Sequence, residues 1–147
     1  MNGEAVRLRF PARPEYLRLA RLAVTGVGER MSFGRSDLAD LKLAVTEACS
    51  NTVRHAYAPG APGEIDLELR IEDDRLELVV EDRGVGIELP VREVEPSVEG
   101  GMGLSIIRAV VDELEINPRA EGAGTVVHMT KRTAARDGVQ ACAEPEV

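Results

Sequence analysis

The sequence predicts a single α/β domain, in which helices and short strands share one hydrophobic core. The chain has 147 residues, which suits one domain better than two. Apolar residues recur at helical spacing in 36–56 and then alternate with polar residues in 64–80. Aromatic residues make up only 3% of the chain and Trp is absent, so the core must be built from aliphatic side chains.

A strand and a helix are predicted at the N-terminal end. Val6, Leu8 and Phe10 alternate with arginines, which indicates a short strand that ends at Pro11. Pro14 suits the first turn of a helix. Helical spacing then relates a set of apolar residues: Leu17, Ala20, Val24 and Val27.

The second helix has the clearest pattern. Ser36 is a suitable N-cap residue, and Pro59 and Gly60 end the segment. One apolar stripe runs along this helix: Leu38, Leu41, Val45, Ala48, Cys49, Thr52 and Ala56. Cys49 lies on this stripe, so we expect a buried and unreactive thiol. Glu47 and Asn51 project from the opposite side.

A hairpin and a third helix follow. Residues 64–71 and 76–80 alternate in polarity around an acidic turn, which predicts two antiparallel strands. Residues 88–99 show no period and are predicted to form a loop. GGMGL at 100–104 opens a helix whose buried stripe is predicted to consist of Leu104, Ile107, Val111 and Leu114.

The remaining strands complete the predicted domain. Ile116 is expected to begin a strand, and Thr125 to Met129 is expected to be the last one. We therefore predict one domain over residues 1–132 and a flexible C-terminal tail over 133–147.

Composition limits the possible functions. The net charge is −8, which argues against direct binding of nucleic acid because phosphate contacts need a basic surface. No apolar run is long enough for a membrane helix, and the N-terminus lacks the apolar core of a secretion signal. Two cysteines cannot build a disulfide framework. These features predict a soluble cytoplasmic protein.

Acidic residues are concentrated in one segment. Residues 64–99 hold thirteen carboxylates against four arginines. Such an asymmetry can steer a basic partner, although a solvated acidic hairpin explains it equally well.

Glu47 and Asn51 are the first pair of candidate site residues. Their i,i+4 spacing on a helix points both side chains to one place. A carboxylate there can accept a proton from a hydroxyl, and an amide oxygen is a hard ligand that suits Mg²⁺. The alternative is an exposed polar helix face. Leu43 and Ala44 argue against it, because they lie on the same side and suggest that this side lines a pocket.

Asp82, Gly84 and Gly86 form a second candidate group at the end of a strand. The Asp82 carboxylate can accept a hydrogen bond from an amino group such as that of adenine. The glycines allow the backbone to approach a flat ring closely. A simple turn after a strand is the alternative.

Gly100, Gly101 and Gly103 form a third group at a predicted helix start. Free backbone N–H groups and the positive end of the helix dipole suit a phosphate there. A flexible glycine hinge is the alternative. Thr125 can support a base pocket with its hydroxyl, but it is equally an ordinary strand residue.

The two histidines are not predicted to be catalytic. His55 lies near the end of the second helix, where packing or capping explains it, and His128 alternates within a strand and is expected to be structural.

Three segments in order resemble the nucleotide-binding boxes of the GHKL ATP-binding superfamily. They are LAVTEACSNTVRHAY at 43–57, VEDRGVGI at 80–87 and GGMGLSIIRAVVDELEI at 100–116. Within that superfamily the chain most closely resembles the bacterial anti-sigma factor serine/threonine kinases, over about residues 5–130.

The resemblance implies a fold and roles for the candidate residues. The fold is an α/β two-layer sandwich with helices on one face of a mixed, largely antiparallel sheet and with residues 88–99 as a lid over ATP. Glu47 would be the general base and Asn51 the Mg²⁺ ligand. The remaining positions are implied to contact the nucleotide: Asp82, Gly84 and Gly86 at adenine, Gly101 and Gly103 along the phosphates, Thr125 near the base, and Leu104 as a further nucleotide-binding residue.

The resemblance also implies partners. Such kinases typically form homodimers, sequester a sigma factor and phosphorylate a STAS-domain anti-anti-sigma protein. The chain's length favours this branch, because a histidine kinase, gyrase or mismatch-repair ATPase needs further segments. Two alternatives stay open: a module that binds ATP and a partner without phosphotransfer, and a regulatory domain of another signalling switch.

Overall fold

The computed structural model describes residues 3–58, 62–84 and 101–133. Gly86, the predicted lid at 88–99 and residues 134–147 lie outside the described residues. The elements follow one another as β1 (Glu4–Pro11), a 3-10 turn (Pro14–Tyr16), α1 (Leu17–Glu29), α2 (Arg35–His55), β2 (Glu64–Ile71), β3 (Arg75–Asp82), α3 (Gly101–Val110), β4 (Glu113–Pro118) and β5 (Thr125–Arg132).

The five strands form one sheet in the order β1-β2-β3-β5-β4. All four pairings are antiparallel among the described strands, so the sheet is more uniform than the mixed sheet that was expected. The predicted hairpin is confirmed, with Leu67 opposite Val80 and Leu69 opposite Leu78. The α/β sandwich predicted from the sequence is thereby confirmed.

The core lies between one face of this sheet and the helices. The strands contribute residues at alternate positions, which are almost fully buried: Ile65, Leu67, Leu69, Leu76, Leu78, Val80 and Met129. The helices contribute the predicted stripes, with Ala20 and Val24 from α1 and Leu41, Val45, Ala48 and Cys49 from α2. Small residues on the helices let them approach a sheet that carries larger branched side chains.

Two helix boundaries differ from the predictions. Gly34 is the N-cap of α2, so Ser36 lies inside the first turn and does not cap it. Helix α3 ends at Val110 and β4 begins at Glu113, so Leu114 belongs to a strand and not to the helical stripe. Leu114 pairs with Met129 and Ile116 with Val127, which makes β4 the strand beside β5.

Thr133, the first residue of the predicted tail, packs against the domain. Thr133 is buried, and its backbone N–H donates to the carbonyl oxygen of Asp74 at 3.0 Å. This residue is therefore held against the β2–β3 turn.

Carboxylates of β2, in the described part of the acidic segment, are ion-paired on the open face of the sheet. Arg7 lies opposite Glu68 on the neighbouring strand, and Arg9 lies opposite Asp66. Arg9 Nε lies 2.6 Å from Asp66 Oδ1, and Arg7 Nη2 lies 3.1 Å from Glu68 Oε2. The carboxylates of β2 therefore support the solvated, ion-paired interpretation.

Candidate functional site

A cavity of about 180 Å³ opens between α2, α3 and the ends of three strands. It brings together four of the predicted site residues from four separate elements: Asn51, Asp82, Leu104 and Thr125. The other residues that line it are Ala48, Thr52, His55, Ala56, Ile116 and Val127. Most of this wall is apolar and a few polar side chains contribute to it, as is typical of a ligand site.

Asp82 supplies the buried charge of this cavity. It is the last residue of β3 and is only 5% exposed. Its Oδ1 accepts the backbone N–H of Gly84 at 2.9 Å, and its Oδ2 lies 3.5 Å from the Thr52 hydroxyl. Burial raises the pKa of Asp82, and hydrogen bonds from Gly84, Thr52 and the Thr125 backbone offset only part of that shift. None of the ion pairs among the described residues involves this carboxylate.

Gly84 has a steric reason to be glycine. A Cβ at this position would overlap the carbonyl oxygen of Ala56 at the end of α2. The turn after Asp82 can therefore pack directly on the helix backbone. Thr125 is buried beside it, at the start of β5 and opposite Asp82.

Asn51 lines the cavity, whereas Glu47, one turn earlier on α2, is half-buried outside its lining residues. The Asn51 Oδ1 accepts a hydrogen bond from Arg54 Nη2 at 3.0 Å. Among the described residues Glu47 makes no side-chain hydrogen bond or ion pair.

The helix that follows the predicted lid begins with the glycines, as predicted. Gly101 is the first residue of α3 and Gly103 lies in its first turn. Their backbone therefore stands at the N-terminal, positive end of a helix dipole.

Sequence reasoning missed several wall residues. Thr52 and Ala56 were assigned to the core stripe, and Ile116 to a strand start. His55 was expected to pack or cap but is exposed and lines the cavity. Leu43 and Ala44 were expected beside a pocket, but Ala44 is in the core and neither lines this cavity.

Arg54 is a further residue that sequence reasoning left without a role. Its i,i+3 spacing from Asn51 is the local signal that could have identified it. Its guanidinium donates a hydrogen bond to the amide oxygen that is predicted to bind Mg²⁺.

Other features of the described residues carry less chemistry. A larger groove of about 1160 Å³ lies by the C-terminal end of α2 and holds none of the predicted site residues. Cys49 is buried as expected, and burial raises the pKa of its thiol to about 12. No group of three or more His, Cys, Asp or Glu side chains in the described part could hold a metal. None of the described helices is long and apolar enough to cross a membrane.

The fold and this cavity define an ATPase domain of the histidine kinase type. A family model described as the histidine kinase-like ATPase domain matches residues 10–131. The solved RsbU and RsbW domains of Rv1364c from Mycobacterium tuberculosis share the fold, with a TM-score of 0.66 and 23% identity over 89% of this chain and 33% of that one. The catalytic domain of the histidine kinase ThkA gives a TM-score of 0.57 at 17% identity, over 89% and 97% of the two chains.

The chain belongs to this family and, within it, to the RsbW serine-protein kinases. The serine-protein kinase RsbW of Oceanobacillus iheyensis is 37% identical over 88% of this chain and 87% of its own length. RsbW of Bacillus subtilis is 35% identical over 88% and 86% of the two chains. The resemblance stated from the three sequence segments is thereby confirmed.

Proposed function

We propose that this chain is a Mg-ATP-dependent serine/threonine kinase that also acts as an anti-sigma factor. It sequesters a sigma factor as a homodimer in the cytoplasm and phosphorylates a STAS-domain anti-anti-sigma protein. Family membership supports the kinase class. The single observation that carries the nucleotide site is the buried Asp82 carboxylate, which lines a largely apolar cavity and accepts only from neutral donors among the described residues.

The residues present fit ATP and Mg²⁺. A buried carboxylate that accepts from neutral donors has spare acceptor capacity for the amino group of adenine. The cavity of about 180 Å³ is smaller than most ligand pockets, so it suits the base while the phosphates lie towards α3. Asn51 offers one oxygen, which is enough because Mg²⁺ keeps waters and takes phosphate oxygens as ligands.

The proposal assigns Arg54 a changed contact when Mg-ATP binds. If Asn51 Oδ1 held Mg²⁺, the Arg54 guanidinium that now donates to this atom would give up that contact. The freed guanidinium would then be available to offset the negative charge of the phosphates. This supplies a phosphate-neutralising side chain within the described residues.

Glu47 takes the acceptor proton in the proposed reaction. As the hydroxyl oxygen of the partner's serine bonds to the γ-phosphorus, its proton passes to a Glu47 carboxylate oxygen. The bond between the γ-phosphorus and the bridging oxygen breaks, which leaves ADP. The protein mainly positions these groups and offsets charge, so few residues are needed.

The experiment that tests this function compares Glu47→Gln with wild type. We expect a loss of about 10²- to 10⁴-fold in phosphate transfer to a purified STAS-domain protein of the same genome, with ATP binding retained. Glu121→Gln is the matched control, because Glu121 is exposed in the β4–β5 turn. Radiolabel transfer from ATP measures the reaction, and calorimetry measures binding.

The outcomes separate this proposal from its alternative. Transfer at the wild-type rate by Glu47→Gln would refute the base assignment. ATP binding without transfer to any STAS-domain protein would favour a binding module, which the position of Glu47 outside the cavity lining permits. Gel filtration with a purified sigma factor tests sequestration and the dimer separately.

A further inference from the structure

Tyr57 joins three parts of the chain just beyond the end of α2. Its hydroxyl donates to the carbonyl oxygen of Glu64 at 2.8 Å and accepts the backbone N–H of Arg83 at 3.0 Å. Its ring lies over Gly63, where an added Cβ would come within 2.5 Å of two ring carbons. The side chain therefore uses both of its hydrogen-bonding roles on backbone groups.

These backbone groups mark the place where two strands separate. The last pair of the β2–β3 ladder at this end is Ile65 with Asp82. Glu64 and Arg83 are one position further on, so the Tyr57 hydroxyl bridges the groups that would otherwise form the next rung. Such a bridge satisfies both backbone groups at a point where the strands can no longer pair directly.

The Tyr57 contacts also fix the turn that carries Asp82, the carboxylate proposed to contact adenine. Asp82 immediately precedes Arg83, and the N–H of Gly84 donates to Asp82 Oδ1. Gly84 packs on the carbonyl of Ala56, the neighbour of Tyr57. The end of α2 thus holds the turn by two contacts. Ala56 packs against Gly84, and the Tyr57 hydroxyl accepts the N–H of Arg83.

We propose that Tyr57 is a positioning residue for nucleotide binding, which holds the Asp82–Gly84 turn in the geometry that the base requires. The inference rests on the proposed function, since it takes Asp82 as the contact of the adenine amino group. Tyr57 itself does not line the cavity, so it acts through the backbone of Arg83 and not by touching the ligand.

The test removes only the hydroxyl. Tyr57→Phe keeps the ring over Gly63, and Tyr16→Phe, at the chain's other tyrosine, is the matched control. We expect Tyr57→Phe to weaken Mg-ATP binding about threefold to tenfold in calorimetric titrations, as loss of the one hydrogen bond that holds the Arg83 N–H implies, while Tyr16→Phe binds like wild type. Exchange of the Arg83 amide hydrogen without nucleotide should become faster in Tyr57→Phe alone.

A double variant distinguishes this positioning role from a purely structural role of Tyr57. Because Tyr57 acts through Asp82, Tyr57→Phe should weaken ATP binding little further once Asp82→Asn is present. The inference would be overturned if the two substitutions lowered ATP affinity additively. It would also be overturned if Tyr57→Phe bound Mg-ATP as tightly as Tyr16→Phe. If Tyr57→Phe fails to fold, Gly63→Ala displaces the ring instead and should show the same non-additivity.

Failure of the proposed function gives a different result. Wild-type protein that binds no Mg-ATP would refute the nucleotide site and this role together. Wild-type binding combined with a Tyr57→Phe affinity equal to the control would refute only the role of Tyr57.

Discussion

Two aspartates on neighbouring strands show how the two faces of this sheet differ. Asp66 on β2 lies on the open face, with Arg9 Nε at 2.6 Å from one carboxylate oxygen and Arg83 Nη1 at 2.9 Å from the other. Asp82 on β3 lies on the helix-covered face, where the described residues offer it only neutral donors. An aspartate is thus ion-paired on the open face, whereas the aspartate on the helix-covered face has no cation partner among the described residues.

The difference teaches which carboxylate is available to a ligand. On the open face, arginines of β1 face acidic residues of β2 in register and neutralise them. On the helix-covered face, the neighbours of Asp82 are aliphatic side chains and a few hydroxyl and amide groups. A buried carboxylate without a cation costs free energy, which a bound amino group can recover.

The largest effect that tests this comparison is expected from Asp82→Asn. The amide presents N–H donors where the base presents its amino group, so ATP affinity should fall about tenfold to a hundredfold. The free energy of unfolding should stay the same or rise, because the variant removes a buried charge. Calorimetric titration and urea unfolding measure the two quantities.

One result would break the comparison at this point. If Asp82→Asn bound Mg-ATP with wild-type affinity, the buried carboxylate would have a purely structural role. The cavity would then require another polar contact for the base, for which Thr125 is the remaining predicted residue.

The two faces should also respond to pH with opposite signs. Burial raises the pKa of Asp82 above its usual 3.8, so its contribution to stability falls as pH rises from that value through the folded-state pKa. Burial alone would raise the pKa of Glu77 on the open face, but hydrogen bonds from Arg75 and His128 outweigh it, and this pKa is lowered from 4.5. The contribution of Glu77 is therefore present above pH 4.5 and is lost as pH falls through its folded-state pKa.

Urea unfolding at several pH values in the acid range measures how the free energy of unfolding changes with pH in each case. Wild type should lose stability relative to Asp82→Asn as pH rises, and it should gain stability relative to Glu77→Gln. The same slope in both comparisons would mean that the two faces do not differ in the way their carboxylates are satisfied.

Much of the fold was predictable because its patterns are local. The stripe of α2 and the alternation in β2 and β3 each involve neighbouring residues, and both predictions are confirmed. Leu114 was assigned wrongly because it fits a helical stripe with Leu104 and also alternates with Ile116. Pairing of Leu114 with Met129 decides between the two, and that contact is not local in sequence.

The candidate site was predictable only in part, for the same reason. Asp82 and Asn51 were identified because their residue types and spacing carry chemistry within one segment. The apolar wall at Val127 and Ile116 depends on which strands lie next to α2, which no local pattern reveals. Tyr57 was missed because its role depends on the separation of β2 from β3 more than on its own neighbours.

The smallest effect is expected from Asp66→Asn, the matched variant on the open face. Its two arginines are half-exposed, so water and salt screen the ion pairs, and ATP affinity should not change. The midpoint of thermal unfolding should fall by a few degrees at most, and the difference from wild type should shrink at high salt. A loss of ATP affinity comparable to that of Asp82→Asn would show that the contact between Arg83 and Asp66 affects nucleotide binding in the cavity. The two faces would then act as one unit, because Arg83 is the residue that follows Asp82 and contacts Asp66.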